Sequence, residues 1–387
     1  MKFINKLFAA GLSVCMLFTV SAVNVSAAEY EYEASSVSET ADRLRECMCA
    51  RINDFSITVP VEMIKGDALT DILVSALAET GKSTEGDYLR WSLSSYSCKI
   101  VNNRYAGTYT LNYSVGYNST SEQEKILDEK LNAVKKNLSL DGNTNYEKIK
   151  KIYGYIVNNV SYSADETGKE IFSAYGAGVE GSAVCQGYSL LMYRLLTECD
   201  VQCRIIPGTG NTANHAWNIA EADGTFYFLD STWDSQAKAK NFLFFMRGSE
   251  DMDALAVGNS HTYGSWSAEG SPIYDDYLSD EFLRKYPISE YAYDINSPSP
   301  EIKLGDVDMD GYIDSSDASA ILLAYSRIST GRTSGLNELQ KKASDADGNK
   351  TVNAADASLV LNYYSYISTG KDISLYNFVN KDISQEQ

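Results

Sequence analysis

Asp223-Gly224 stands between two β-prone runs, His215-Ala216-Trp217-Asn218-Ile219 and Thr225-Phe226-Tyr227-Phe228-Leu229-Asp230. In that setting Asp-Gly signals a hairpin closed by a two-residue loop. Counting outward from such a loop pairs Ala222 with Thr225 and places Trp217 opposite Asp230. His215 is two positions from Trp217, so it shares that face and lies diagonal to Asp230. Diagonal neighbours sit about 7–8 Å apart, within reach of an imidazole and a carboxylate. A three-residue loop would turn Asp230 to the opposite face.

Upstream, Gly181-Ser182-Ala183-Val184-Cys185-Gln186-Gly187-Tyr188 runs into Leu190, Leu191, Leu195 and Leu196. Tyr188, Leu191, Met192 and Leu195 recur at spacings of three and four, the period of a helix with one buried face. Cys185 therefore falls at or just before a helix start. The free N–H groups and partial positive charge of such an end favour a thiolate over a thiol. Cys, His and Asp in this order are the parts of an activated nucleophile. Taken singly, a Cys near a helix start or a His-Ala-Trp run is more often packing. The conjunction separates them from that reading, since one of only two histidines falls where the arrangement needs it.

Val184-Cys185-Gln186-Gly187-Tyr188, His215-Ala216-Trp217 and Leu229-Asp230-Ser231-Thr232-Trp233 resemble the three motifs of the transglutaminase-like superfamily. The resemblance spans roughly Tyr146 to Trp266. Ser173-Ala174-Tyr175-Gly176 and Val179-Glu180-Gly181 are similar to the lead-in of bacterial members. Ser231 stands where the family usually has Pro. The resemblance implies an α+β fold: a papain-like core with a helix-borne Cys and an antiparallel sheet. It implies Cys185, His215 and Asp230 as catalytic residues and acyl transfer through a thioester. His215 would take or hold the thiol proton, and Asp230 would fix the imidazole tautomer. The Cys185 N–H would be one oxyanion donor, with the Tyr175 region a candidate for the second. Water as acceptor makes a protease or amidase, and an amine makes a transglutaminase. Water is present at about 55 M and needs no dedicated site, so peptide or amide hydrolysis is the favoured expectation. The competing reading is a non-catalytic module that binds peptide or carbohydrate during polysaccharide degradation.

Lys2 and Lys6 precede an apolar run from Leu7 to Val23, and Val25-Ser26-Ala27 supplies small residues for a peptidase. This predicts a signal peptide over residues 1–28 and a secreted, extracellular protein. No later stretch approaches the eighteen apolar residues of a membrane span. The net charge of −19 argues against nucleic acid and anionic lipid as partners. Beyond Cys15, six cysteines remain: Cys47, Cys49, Cys98, Cys185, Cys199 and Cys203. Secretion permits pairing, with Cys199 and Cys203 close enough in sequence to meet, and simple burial as thiols is the alternative.

Along the chain, residues 29–36 are acidic and polar, and disorder is expected. Residues 40–50 and 67–80 read as helices, and 55–61, 89–100 and 105–117 as strands, the last two around Asn102-Asn103. Residues 29–120 thus form a small α+β segment that shapes one wall of a cleft. Residues 121–138 and 146–160 are amphipathic helices that open the catalytic region, 121–285. Asn241 to Phe245 reads as a buried strand, and His261 as a structural or exposed residue, with a supporting place behind the catalytic residues as the lesser reading. Tyr286 to Pro300 is rich in Tyr, Ser and Pro and reads as a linker, set as 286–303.

Beyond it, Asp306, Asp308, Asp310, Asp314 and Asp317 occupy positions 1, 3, 5, 9 and 12 of a loop with Gly311 at position 6. That is the spacing of an EF-hand-type Ca2+ loop, in which Tyr312 offers its carbonyl. The pattern returns 39 residues later as Asp345, Asp347, Asn349, Asn353 and Asp356, with Thr351 at position 7. Residues 317–331 and 356–370 share 10 of 15 identities, so the unit is duplicated. These features make residues 304–372 resemble an all-α type I dockerin, followed by a tail, 373–387. The resemblance implies two Ca2+ ions, a cohesin module of a scaffoldin as partner and attachment to a cellulosome. A protein or peptide is the expected substrate. The second loop has Lys350 at position 6 and Gly348 at position 4, and three carboxylates against five. It is expected to be the weaker site. Positions 10 and 11 are Ser315-Ser316 in one repeat and Ala354-Ala355 in the other, so the two cohesin-facing surfaces are expected to differ.

Overall fold

The computed structural model describes residues 30–164, 167–237, 242–256, 258–263, 277, 279–295, 303–336, 338–371, 373 and 375–379. The expected signal peptide and Trp266 lie outside these residues. The chain divides into two compact units. The first holds residues 1–220, 227–278 and 290–292, and the second 221–226, 279–289 and 293–387.

The first unit opens with β1 (Tyr30–Glu33), α1 (Val37–Cys49), β2 (Asp54–Pro60), α2 (Ala68–Ala76), α3 (Asp87–Ser92), β3 (Leu93–Asn103) and β4 (Thr108–Tyr117). The strands form one sheet in the order β1-β2-β4-β3. Alternation buries Phe55, Ile57 and Val59 of β2 with Leu111, Tyr113 and Val115 of β4, beneath Leu44 and Met48 of α1 and Ile72 and Leu73 of α2. Residues 30–33, expected to be disordered, instead pair parallel with β2, Tyr30 opposite Phe55. The expected strand from Leu89 begins only at Leu93, because the preceding turn is helical. The Asn102-Asn103 turn is likewise displaced: both residues lie in β3, and Asn103 Nδ2 ties across to Thr108 and Thr110. The helix expected to reach Thr80 stops at Ala76, where Arg45 takes the Ala76 carbonyl.

The helices α4 (Ser121–Leu138) and α5 (Asn145–Asn159) each start on a capping box, Thr120 with Gln123 and Thr144 with Glu147. A short parallel pair, β5 (Ser161–Tyr162) and β6 (Ser182–Ala183), then leads into α6 (Cys185–Thr197). Next come β7 (Cys203–Gly210), β8 (Ala213–Ala222), β9 (Thr225–Leu229), α7 (Ser231–Ala237), β10 (Phe245–Arg247) and β11 (His261–Tyr263). The second sheet has the order β10-β9-β8-β7-β11. Asp223 and Gly224 have φ of 51° and 84°, the left-handed pair that a two-residue hairpin loop demands. Of the strand expected over 241–245, Asn241 lies outside the described residues, and the described strand is Phe245–Arg247. The Leu243 and Phe244 amides are spent on the Asp234 carboxylate, not on a ladder.

All six described cysteines are free thiols, Cys199 and Cys203 included. In the second unit, α8 (Asp280–Lys285) precedes the duplicated region, made of α9 (Ser315–Ser329), α10 (Glu338–Ser344), α11 (Ala354–Ile367) and α12 (Leu375–Val379). Val307, Ile313, Ile321, Ala343, Val360 and Leu375 share its core, so part of the expected tail packs with the repeats.

Candidate active site and calcium loops

Cys185 is the first residue of α6, with Val184 as its N-cap. The first amides of a helix have no intrahelical partner, so the Cys185 N–H is available to an oxyanion. The helix start is pressed against the 171–173 backbone. A Cβ on Gly187 would stand 2.8 Å from the carbonyls of Ile171 and Ser173, which accounts for Gly two residues after Cys185. Tyr188 donates to the Val160 carbonyl at 2.8 Å, and Gln186 Nε2 donates to the Trp91 carbonyl at 2.6 Å. The N-terminal segment thus touches the residue beside Cys185.

Each oxygen of Asp230 has its own task. Oδ1 accepts the Thr232 and Trp233 amides at 2.9 and 3.2 Å, which makes Asp230 the N-cap of α7. Oδ2 meets His215 Nε2 at 2.9 Å. That leaves Nδ1 of His215 as the ring nitrogen for the Cys185 sulfur, which interacts with this ring. Burial opposes charge on Asp230, but His215 foremost holds its pKa well below the carboxylate range. Burial likewise opposes charge on His215, yet Asp230 and then Cys185 raise its pKa to about 10. A protonated imidazole beside a helix-start sulfur is the electrostatic partner of a thiolate. Ser231, in place of the family's Pro, simply begins α7 and is buried.

His261 takes the place that the sequence offered only as the lesser reading, behind the catalytic residues: its side chain is only 2% exposed, and its Nε2 lies 3.2 Å from the same Asp230 Oδ2. Its Nδ1 lies 2.7 Å from Asp253 Oδ1. Trp233 lies over both imidazoles, 5.1 Å from His215 and 4.1 Å from His261. His261 is delivered by edge strand β11, where it pairs with Gly210 of β7. Three residues of isolated strand carry no readable period, so only the tally of histidines pointed toward it.

In the second unit the two acidic loops share their framing hydrogen bonds. Asp306 Oδ2 accepts the Gly311 amide, and Asp345 Oδ2 accepts the Lys350 amide, each at 3.0 Å. Asp317 and Asp356 close their loops by accepting the amides of Asp314 and Asn353. In both position-1 residues the other oxygen, Oδ1, is buried with no hydrogen-bond partner. A buried lone carboxylate oxygen is costly unless a cation or donor meets it. Asp306, Asp308 and Asp310, and likewise Asp345, Asp347 and Asp356, bring oxygens within 4.8 Å of one another. Burial, then neighbouring acids, raise the pKa of Asp308. Hard oxygen donors in this set fit Ca2+. Left-handed backbone occurs at positions 4 and 6 of both loops: Met309 and Gly311 in the first, Gly348 and Lys350 in the second. Each loop therefore carries one non-glycine in that region, so Lys350 does not set the second loop apart. The carboxylate count does.

Residues 132–234 match the family model of the Transglutaminase-like superfamily, and residues 304–365 match that of the Dockerin type I domain. The kyphoscoliosis peptidase of Mus musculus is 27% identical over 120 residues, covering 27% of this chain and 18% of that protein. Its counterpart in Homo sapiens is 27% identical over 110 residues, covering 24% and 17%. The chain thus spans less than a fifth of the length of the curated relatives it matches. A solved structure described as that of a TGase covers 46% of this chain and 51% of its own, at 14% identity and a TM-score of 0.27.

Proposed function

We propose that this chain is a secreted cysteine-dependent acyl-transfer enzyme, Cys185, His215 and Asp230 its catalytic residues, tethered to a cellulosome scaffold through its dockerin region. The observation that carries the reading is Asp230 Oδ2 meeting His215 at 2.9 Å, with Cys185 as the first residue of α6. The Cys185 sulfur attacks an amide carbonyl carbon, and the Cys185 N–H faces the oxygen as charge develops there. The C–N bond breaks as His215 gives its proton to the leaving amine, leaving a thioester and a neutral imidazole. Water then adds to the thioester carbonyl and yields its proton to His215. The acid departs and the thiolate–imidazolium pair is restored. Hydrolysis of a protein or peptide is favoured over crosslinking, because no amine site is needed.

The two acidic loops would each hold one Ca2+, with Asp306, Asp308, Asp310, Tyr312, Asp314 and Asp317 serving the first. Asp345, Asp347, Asn349, Thr351, Asn353 and Asp356 would serve the second. The ions supply charge neutralisation that sets the following helices, which present their exposed residues to a cohesin module. The test is a proteomic comparison of amide cleavage and crosslinking by wild type and Cys185→Ala. New termini or crosslinks that depend on Cys185 are expected. Identical peptide maps would remove the enzymatic reading.

A further inference from the structure

We propose that His261, held by Asp253, is a positioning residue for the catalytic pair, a permanent imidazolium that shares Asp230 Oδ2 with His215. This rests on the acyl-transfer reading above. The geometry leaves one protonation state. His261 Nδ1 is 2.7 Å from Asp253 Oδ1, and its Nε2 is 3.2 Å from Asp230 Oδ2. An ionised carboxylate only accepts, so both ring nitrogens must donate, and a neutral imidazole has one N–H. Both carboxylates are kept ionised. Asp253 Oδ2 also accepts the His261 backbone amide at 2.7 Å, and Asp230 Oδ1 accepts two amides of α7. Burial disfavours an imidazolium at His261, but its bonds to Asp230 and Asp253 outweigh that and raise its pKa.

The other faces of the ring are aromatic: Trp233 at 4.1 Å, Trp217 at 4.9 Å and Phe244 at 5.4 Å. The charged and titratable groups around this row are Asp253, Asp230, His215 and Cys185, with Asp234, Tyr153 and Tyr188 beside Asp230. Asp253, His261, Asp230 and His215 therefore form one alternating line of charge that ends beside Cys185.

That line has a chemical use. Asp230 alone beneath His215 would clamp its proton, and a general acid must release it to the leaving amine. A second imidazolium on the same oxygen draws off part of that negative charge. It also pins Oδ2, so the carboxylate cannot rotate away when His215 becomes neutral in the thioester stage.

The chain contains two histidines, so tag-free full-length protein labelled with 15N-histidine gives two sets of ring signals, and His215→Gln assigns them. In wild type at pH 7, both nitrogens of His261 are expected to carry protons. In Asp253→Asn, His261 is expected to keep one proton, on Nε2. The His215 titration should then move up, by less than the roughly 2 pH units that loss of a unit charge 5.7 Å away at an effective dielectric of about 20 would give, because the substitution also removes the negative charge of Asp253 on the far side of His261. A neutral His261 in wild type at pH 7 overturns the inference. So does an unmoved His215 in a folded Asp253→Asn. Should that variant fail to fold, the wild-type spectrum decides alone. Iodoacetamide alkylation of Cys185 runs in parallel and reads the acyl-transfer proposal separately. A sluggish Cys185 beside a doubly protonated His261 would sink the enzyme and keep the charge state.

Discussion

Gly210 lies flat against His215. A Cβ built on that glycine would stand 3.2 Å from the imidazole and 2.6 Å from the Trp233 ring. Gly210, one strand away from His215, is therefore part of its seat, although it has no side chain to contribute.

Gly210→Val is expected to displace His215 or Trp233 while leaving the sheet paired. Misplacement of a base by about 1 Å can cost on the order of 100-fold. Alkylation of Cys185 at pH 7, with circular dichroism as the control for folding, checks this. A valine variant that reacts at the wild-type rate would show that the ring has room to spare.

Asp230→Ala should do two separable things. Loss of the α7 cap costs about 1 kcal/mol of stability, read as a lower urea midpoint. Loss of the Oδ2 acceptor leaves His215 without its partner, and thiol reactivity should fall further than the stability change explains. Asp230→Asn, which retains an oxygen for the cap, is expected to recover the capping part of that stability alone, and not reactivity.

His215 links folding to pH with a defined sign. Its folded pKa, about 10, lies above the unfolded value of about 6.5. Its contribution is therefore complete below about pH 6.5 and fades as pH rises through about 10. Asp230 acts oppositely, its pKa being depressed: its contribution is present above about pH 3.9 and lost as pH falls further. Melting curves from pH 7 to 10 should slope downward in wild type and less so in His215→Gln. Parallel slopes in the two proteins would contradict the assignment.

Asp87 is fully buried, with Arg204 Nε at 2.7 Å and Nη2 at 3.0 Å, and with Arg90 and the Ile205 amide beside it. It joins α3 to β7. Asp87→Ala removes the carboxylate that two guanidinium groups share, leaving Arg204 with Glu79 at 3.4 Å, and removing one partner of a buried pair costs about 3–5 kcal/mol. Denaturant unfolding measures this, and a loss below about 1 kcal/mol would mean the site is wetter than its burial suggests.

Chelation of Ca2+ should lower the melting temperature of the C-terminal region and abolish cohesin binding, with Ca2+ restoring both. Asp306→Ala should weaken Ca2+ binding more than Asp345→Ala, because five carboxylates serve the first loop and three the second. Calorimetric titration of each variant decides; equal losses would mean that loop geometry outweighs charge.

How far the sequence alone reached varies by element. The Asp223-Gly224 loop fixed which face carries His215 and Asp230, because two left-handed residues admit few hairpins. The helix stripe behind Cys185 and the spaced acids of the loops were legible for the same reason: each is a local period. The errors fell where a distant partner overrode propensity. Residues 30–33 became a strand because β2 offered an open edge. Residues 243–244 left the ladder because Asp234 took their amides.

Local order in the chain thus determined where Cys185, His215, Asp230 and the paired loops fall, since turns, caps and ligand spacings act within a few residues. Only tertiary structure decided that one carboxylate serves two imidazoles. His261 and Asp230 are 31 positions apart, and their meeting depends on an edge strand docking beside Gly210. No local period encodes such a contact, because its stability comes from burial and charge shared across the assembled sheet.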